Sequence, residues 1–97
     1  MQRLTTEEVD TLSERLPAWQ VNATGTALER TLMFPDFDEA MRFINAVADA
    51  AKAQDHHPEW SNSFNRVHIR LTTHDAQGLT HRDVQLALAV DTVAPKA

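Results

Sequence analysis

A chain of 97 residues with a formal net charge of −5 and no cysteine excludes several classes of protein at the outset. It can build one hydrophobic core but hardly two. It lacks the basic face that phosphate binding needs, and it can form neither a disulfide framework nor a cysteine-based zinc site. Its 42% hydrophobic and 24% charged residues are ordinary for a globular domain, expected here as a single unit over residues 1–97. No apolar leader is visible at the start of the sequence, and no apolar run approaches the roughly 20 residues that cross a bilayer. The expectation is a cytoplasmic protein that engages neither membrane nor nucleic acid.

The elements follow in chain order. Thr5-Thr6-Glu7-Glu8 is a capping box with Thr5 as N-cap and Glu8 three residues on, and Leu4 and Val9 form its hydrophobic staple. Val9, Leu12 and Leu16 continue a helical stripe that Pro17 ends. Trp19 to Asn22 is a short strand, Thr24-Gly25 a turn, and Ala27 to Phe34 a second strand with Leu28, Leu32 and Phe34 on one parity. Asp36 caps a long helix that runs to about Ala53, with Phe37, Met41, Ile44, Ala48 and Ala51 along its stripe and Phe43 and Val47 widening it. Glu59 to Asn65 is a third strand, Asn65-Arg66 a tight turn, and Arg66 to Thr73 a fourth strand with Val67, Ile69 and Leu71 facing inward. His74 to Leu79 is a loop. Thr80 opens the last helix, with Asp83 in the capping-box position and Val84, Ala87, Leu88 and Val90 on its buried side; the tail from Ala94 frays. The predicted fold is α+β: a four-stranded antiparallel sheet with three helices on one face, in the order α-β-β-α-β-β-α. The other face, carrying His68, Arg70 and Thr72, is left for solvent or another subunit.

Chemistry concentrates in Asp55-His56-His57-Pro58-Glu59-Trp60 and in His74, three of the chain's five histidines. Imidazole is the side chain that exchanges protons near neutral pH. Pro58 biases His57 towards extended backbone, so the pair belongs where a helix gives way to a strand. The following hairpin returns the chain to the end it left, which brings His74 towards the pair. Taken singly, each of these histidines has a plain structural explanation, as do His68 on a polar strand face, His81 in an exposed helical turn and Asp83 as a capping carboxylate. Three histidines and a water can hold zinc. However, adjacent histidines point apart and no His-x-x-x-His spacing occurs, so acid–base chemistry is expected and a metal is not.

The run from Asp55 to Asp83 resembles the pterin-4a-carbinolamine dehydratase family. His56-His57-Pro58, an aromatic after five more residues (Phe64), His74 after nine more and Asp83 after eight more follow that family's signature. Glu59-Trp60, Asn65, Val67-His68-Ile69 and Gly78-Leu79 are similar as well. The resemblance implies dehydration of a 4a-hydroxytetrahydropterin to the quinonoid dihydropterin, in tetrahydropterin recycling, with no cofactor and no metal. It implies His56 and His74 as acid and base in an order left open, His57 as a catalytic and pterin-binding residue, and Glu59 and Trp60 at the substrate. Asp83 and Pro58 are read as structural signature residues, Asp83 capping the last helix and holding the His74 loop. A homodimer or homotetramer and a functional link to an aromatic amino-acid hydroxylase are implied too.

One departure stands out: the family's carboxylate four residues before His56 is Lys52 here. Asp55 or Glu59 would then have to supply the missing charge. The departure also keeps a second class in view, since some members of this fold serve as binding or assembly factors. One such member promotes dimerisation of a homeodomain transcription factor, and chaperone-like relatives are linked to carbon-fixing enzymes.

Overall fold

The computed structural model describes residues 2–95. The first helical segment is two short helices, α1 (Thr6–Asp10) and α2 (Leu12–Arg15). The expected single helix breaks at Thr11, whose hydroxyl donates back to the Glu8 carbonyl, a contact that competes with the helical ladder. The capping box is present as expected: Glu8 N donates to Thr5 Oγ1 and Thr5 N donates to the Glu8 carboxylate. Then follow β1 (Gln20–Val21), β2 (Leu28–Met33), α3 (Phe37–Gln54), β3 (Glu59–Ser63), β4 (Arg66–Leu71), a single 3-10 turn over His74–Ala76, and α4 (His81–Val93).

The four strands form one antiparallel sheet in the order β1-β2-β4-β3. β4 lies between two neighbours and under the helices, and Val67, Ile69 and Leu71 are all fully buried. They join Leu12, Leu16, Leu28, Val47, Leu86 and Val90 in one contiguous core. The helices cover one sheet face, as the alternation of β4 requires.

Several details differ from expectation. The core seam of α3 is Ala40, Phe43, Val47 and Ala51, while Phe37 is exposed and Met41, Ile44 and Ala48 are half-buried. The stripe is thus rotated towards what had read as its margin, because α3 must meet α4 as well as the sheet. On α4, Leu86 is buried and Leu88 is exposed, the reverse of the expected pairing. The β3–β4 turn is Phe64-Asn65, one residue earlier than expected, since Ser63 pairs with Arg66 and Phe64 takes the positive φ of 50°. Ala94 is buried and its amide donates to Val90 O, so α4 does not fray there; Lys96 and Ala97 lie outside the described residues.

Candidate active site

The end of α3 delivers the first histidine. Asp55 adopts the left-handed conformation (φ 50°, ψ 44°), which Asp tolerates better than most residues. Asp55 N donates to Lys52 O and His56 N to Ala51 O, the paired bonds of a Schellman ending. This reversal turns His56 inward. Pro58 then follows and β3 begins at Glu59, so the His-His pair sits at the helix-to-strand junction.

His56 is buried, and its Nε2 lies 2.6 Å from Oδ1 of Asp83, which is itself fully buried. The other oxygen of Asp83 accepts from Thr73 Oγ1 at 2.8 Å and from Thr80 N at 2.9 Å. Thr80 Oγ1 and Thr73 Oγ1 are 2.8 Å apart. Because the Thr73 hydrogen goes to the carboxylate, Thr80 is the donor in that pair. Asp83 therefore closes three structures at once: the α4 capping box, the root of the His74 loop and the ring of His56. With donors converging on its carboxylate, the hydrogen of a neutral His56 belongs on Nε2 and Nδ1 is left as an acceptor.

A cleft of about 260 Å³ opens here, lined by Asp55, His56, His57, Thr72, Thr73, His74, Asp75 and Arg82. All three histidines of the sequence pattern share it. His57 and His74 are exposed, in contrast to His56. His74 Nε2 lies 3.1 Å from Glu59 Oε1, and the same oxygen accepts from Arg70 Nη1 at 3.1 Å.

Neither Glu59 nor Trp60 is in the cleft lining: Glu59 backs His74, and Trp60 lies opposite Ile69 on the edge strand, partly exposed. Lys52 is exposed in the last turn of α3 and also outside the lining. The acidic residues of the lining are Asp55 and Asp75.

Sequence reasoning missed Thr72, Thr73, Asp75 and Arg82. Arg82 was legible as the residue before Asp83 in the first turn of a helix aimed at the pair; its Nη1 reaches Asp55 O at 3.5 Å. The threonines carry no spacing signal, because β4 and the α4 cap only meet in three dimensions. Elsewhere, His68 is held on the open sheet face by Thr31 and Glu29. His81 is exposed, 3.8 Å from Glu8. Among the described residues no group of three or more His, Asp or Glu side chains is placed to hold a metal ion, and no helix is long and apolar enough to cross a membrane.

Residues 2–93 match the family model described as pterin 4 alpha carbinolamine dehydratase. A protein of Burkholderia multivorans with the provisional name pterin-4-alpha-carbinolamine dehydratase is 50% identical over 95 residues, which cover 98% of this chain and 93% of the relative. A similarly named protein of Novosphingobium aromaticivorans is 49% identical over 89 residues, covering 92% and 93%. Among solved structures, a crystal structure titled transcriptional coactivator/pterin dehydratase, from Brucella melitensis, superimposes with a TM-score of 0.92. It is 36% identical, over 97% of this chain and 100% of that one.

Proposed function

Since this chain belongs to the pterin-4-alpha-carbinolamine dehydratase family, we propose that it dehydrates a 4a-hydroxytetrahydropterin to the quinonoid dihydropterin and water. The observation that carries the proposal is the contrast between two imidazoles on one cleft, one locked and buried, one exposed beside a carboxylate.

His56 is the base. Asp83 holds its Nε2–H, so Nδ1 accepts the N5 proton of the substrate. His74 is the acid. Glu59, 3.1 Å away, holds one of its ring nitrogens in place, and the ring protonates the departing 4a-hydroxyl. The C4a–O bond breaks, C4a=N5 forms from the N5–H electron pair, and water leaves; no electron is exchanged with a redox partner. The two histidines end with their protons interchanged, and solvent restores them. His57, exposed on the same cleft, binds and orients the heterocycle through its ring nitrogens. Each proton transfer of this kind contributes about 10²–10⁴-fold. Trp60 is proposed to support the cleft from the sheet edge. The substrate implies a hydroxylase that makes the carbinolamine and a role in tetrahydropterin recycling.

The second reading, a binding or assembly factor without turnover, rests on Lys52. The exposed position of Lys52 outside the cleft, with Asp55 in the lining, favours catalysis. Stopped-flow decay of 4a-hydroxytetrahydropterin, generated in situ by a hydroxylase, decides between them. Acceleration that disappears in a His56→Ala, His74→Ala double variant supports the dehydratase. Decay at the spontaneous rate with folded protein present rejects it and leaves the assembly reading.

A further inference from the structure

We propose that the segment preceding α1 is a brace for the acid group: Arg3 and Leu4 hold the back of the loop that carries His74 and so set its position relative to His56. This deepens the acid–base reading above and rests on it.

The loop runs from Thr73 to Gly78 and is closed by two backbone bonds, Thr73 N to Gly78 O at 3.1 Å and Gly78 N to Thr73 O at 3.3 Å. Inside it are the 3-10 turn and Gln77 in the left-handed conformation (φ 58°, ψ 38°). Its front, Thr73, His74 and Asp75, faces the cleft. Its back, Gly78 and Leu79, faces a separate crevice of about 320 Å³ that Arg3 and Leu4 also line. The root of the loop is fixed by Asp83 through Thr73. Its second half is fixed from the far side. Leu4 N donates to Leu79 O at 2.8 Å, and Arg3 Nη1 donates to Gln77 O at 3.2 Å.

Gly78 shows that this approach is close. A Cβ built there would stand 2.9 Å from Arg3 Cδ, and its three nearest neighbours would all be Arg3 atoms. Gly78 is not in the left-handed region, so its missing side chain admits the Arg3 stem and is not required by a turn. Gln77 N in turn donates to His74 O. The path from Arg3 to the residue bearing the imidazole is therefore two hydrogen bonds through a single residue. His74 is exposed, and among the described residues its ring has one ion-pair partner, the exposed carboxylate of Glu59, so the loop backbone sets where the ring can stand relative to that carboxylate and to His56. A misplacement of about 1 Å can cost on the order of 10²-fold in rate.

The experiment compares wild type with Arg3→Ala, Gly78→Ala and Arg3→Lys. It reads kcat and KM for carbinolamine dehydration, the His74 ring resonances by NMR, amide exchange at Gln77, and Tm. In Arg3→Ala and Gly78→Ala, kcat is expected to fall about tenfold with KM nearly unchanged, because His57 and the end of α3 are untouched. The His74 resonances shift or broaden, and Gln77 exchanges faster. Arg3→Lys, which keeps a donor for Gln77 O, recovers most of the rate. Folded alanine variants with unaltered His74 resonances and Gln77 exchange overturn the brace, as does a loss of kcat that only follows the unfolded fraction. A wild-type chain without turnover removes the dehydratase reading, while the His74 resonances still decide the brace.

Discussion

His56 and His74 carry the same side chain, and their surroundings assign them different work. The ring of His56 is held from behind by a buried carboxylate, whereas His74 has a single exposed carboxylate beside it. Asp83→Asn tests the first arrangement. It keeps the shape but offers Oδ1 and Nδ2 where two acceptors stood, so either His56 or the Thr73 and Thr80 donors lose their partner. The expected result is a fall in kcat of about 10²-fold together with about 1–3 kcal/mol of lost stability from the unpaired buried group, read by turnover and urea unfolding. A stability loss with kcat retained would reduce Asp83 to a helix cap. Lys52→Glu asks the opposite question. The side chain is exposed and outside the cleft, where screening weakens its reach, and kcat is expected to change by less than about threefold. A rise of 10-fold or more, on the order of 1.4 kcal/mol, would show that the charge at this position matters directly.

Two capping boxes, in α1 and α4, share the reach of an acidic side chain back to the cap amide and have unequal consequences. Thr5 and Glu8 lie at the surface. The Thr5 backbone amide donating to the Glu8 carboxylate, helped by the Thr5 hydroxyl, holds that carboxyl below the ordinary carboxylate range. Its contribution is thus present above the ordinary Glu value and is lost as pH falls through the lowered one. An NMR titration of Glu8 checks this, and Thr5→Ala should move the group back up. In α4 the cap is buried: Thr80 accepts from Arg82 N and donates to Thr73. Thr80→Ala is therefore expected to cost about 2 kcal/mol, the upper end for an N-cap, and to disturb the His74 loop, which Thr5→Ala does not touch directly. Equal and small costs for the two substitutions would contradict the distinction. The first helix shows the limit of periodicity as a guide. Val9, Leu12 and Leu16 keep helical spacing across a break that a single threonine hydroxyl introduces.

The whole molecule leaves one long strand edge uncovered. Every residue of β3 is exposed, and Trp60 and Phe64 stand at that edge, through which we propose that a second copy extends the sheet. Self-association predicts sedimentation well above the 10.9 kDa of one chain, and Trp60→Lys should shift it towards that mass; a wild-type monomer removes the oligomer. The element order, the one-sided sheet and the grouping of His56, His57 and His74 were all legible in the amino-acid order. Each depends on local rules: caps, two- and 3.6-residue periods, and a proline that forces a junction. The strand order, the rotation of α3, the inward turn of His56 and the brace behind His74 were not. Asp83 illustrates the division. Its position three residues after Thr80 determined that it would cap a helix, because both groups lie within one turn. That its second oxygen would meet the ring of His56, 27 residues earlier, depended on how α3 and α4 pack over β4, and no short-range pattern encodes that contact.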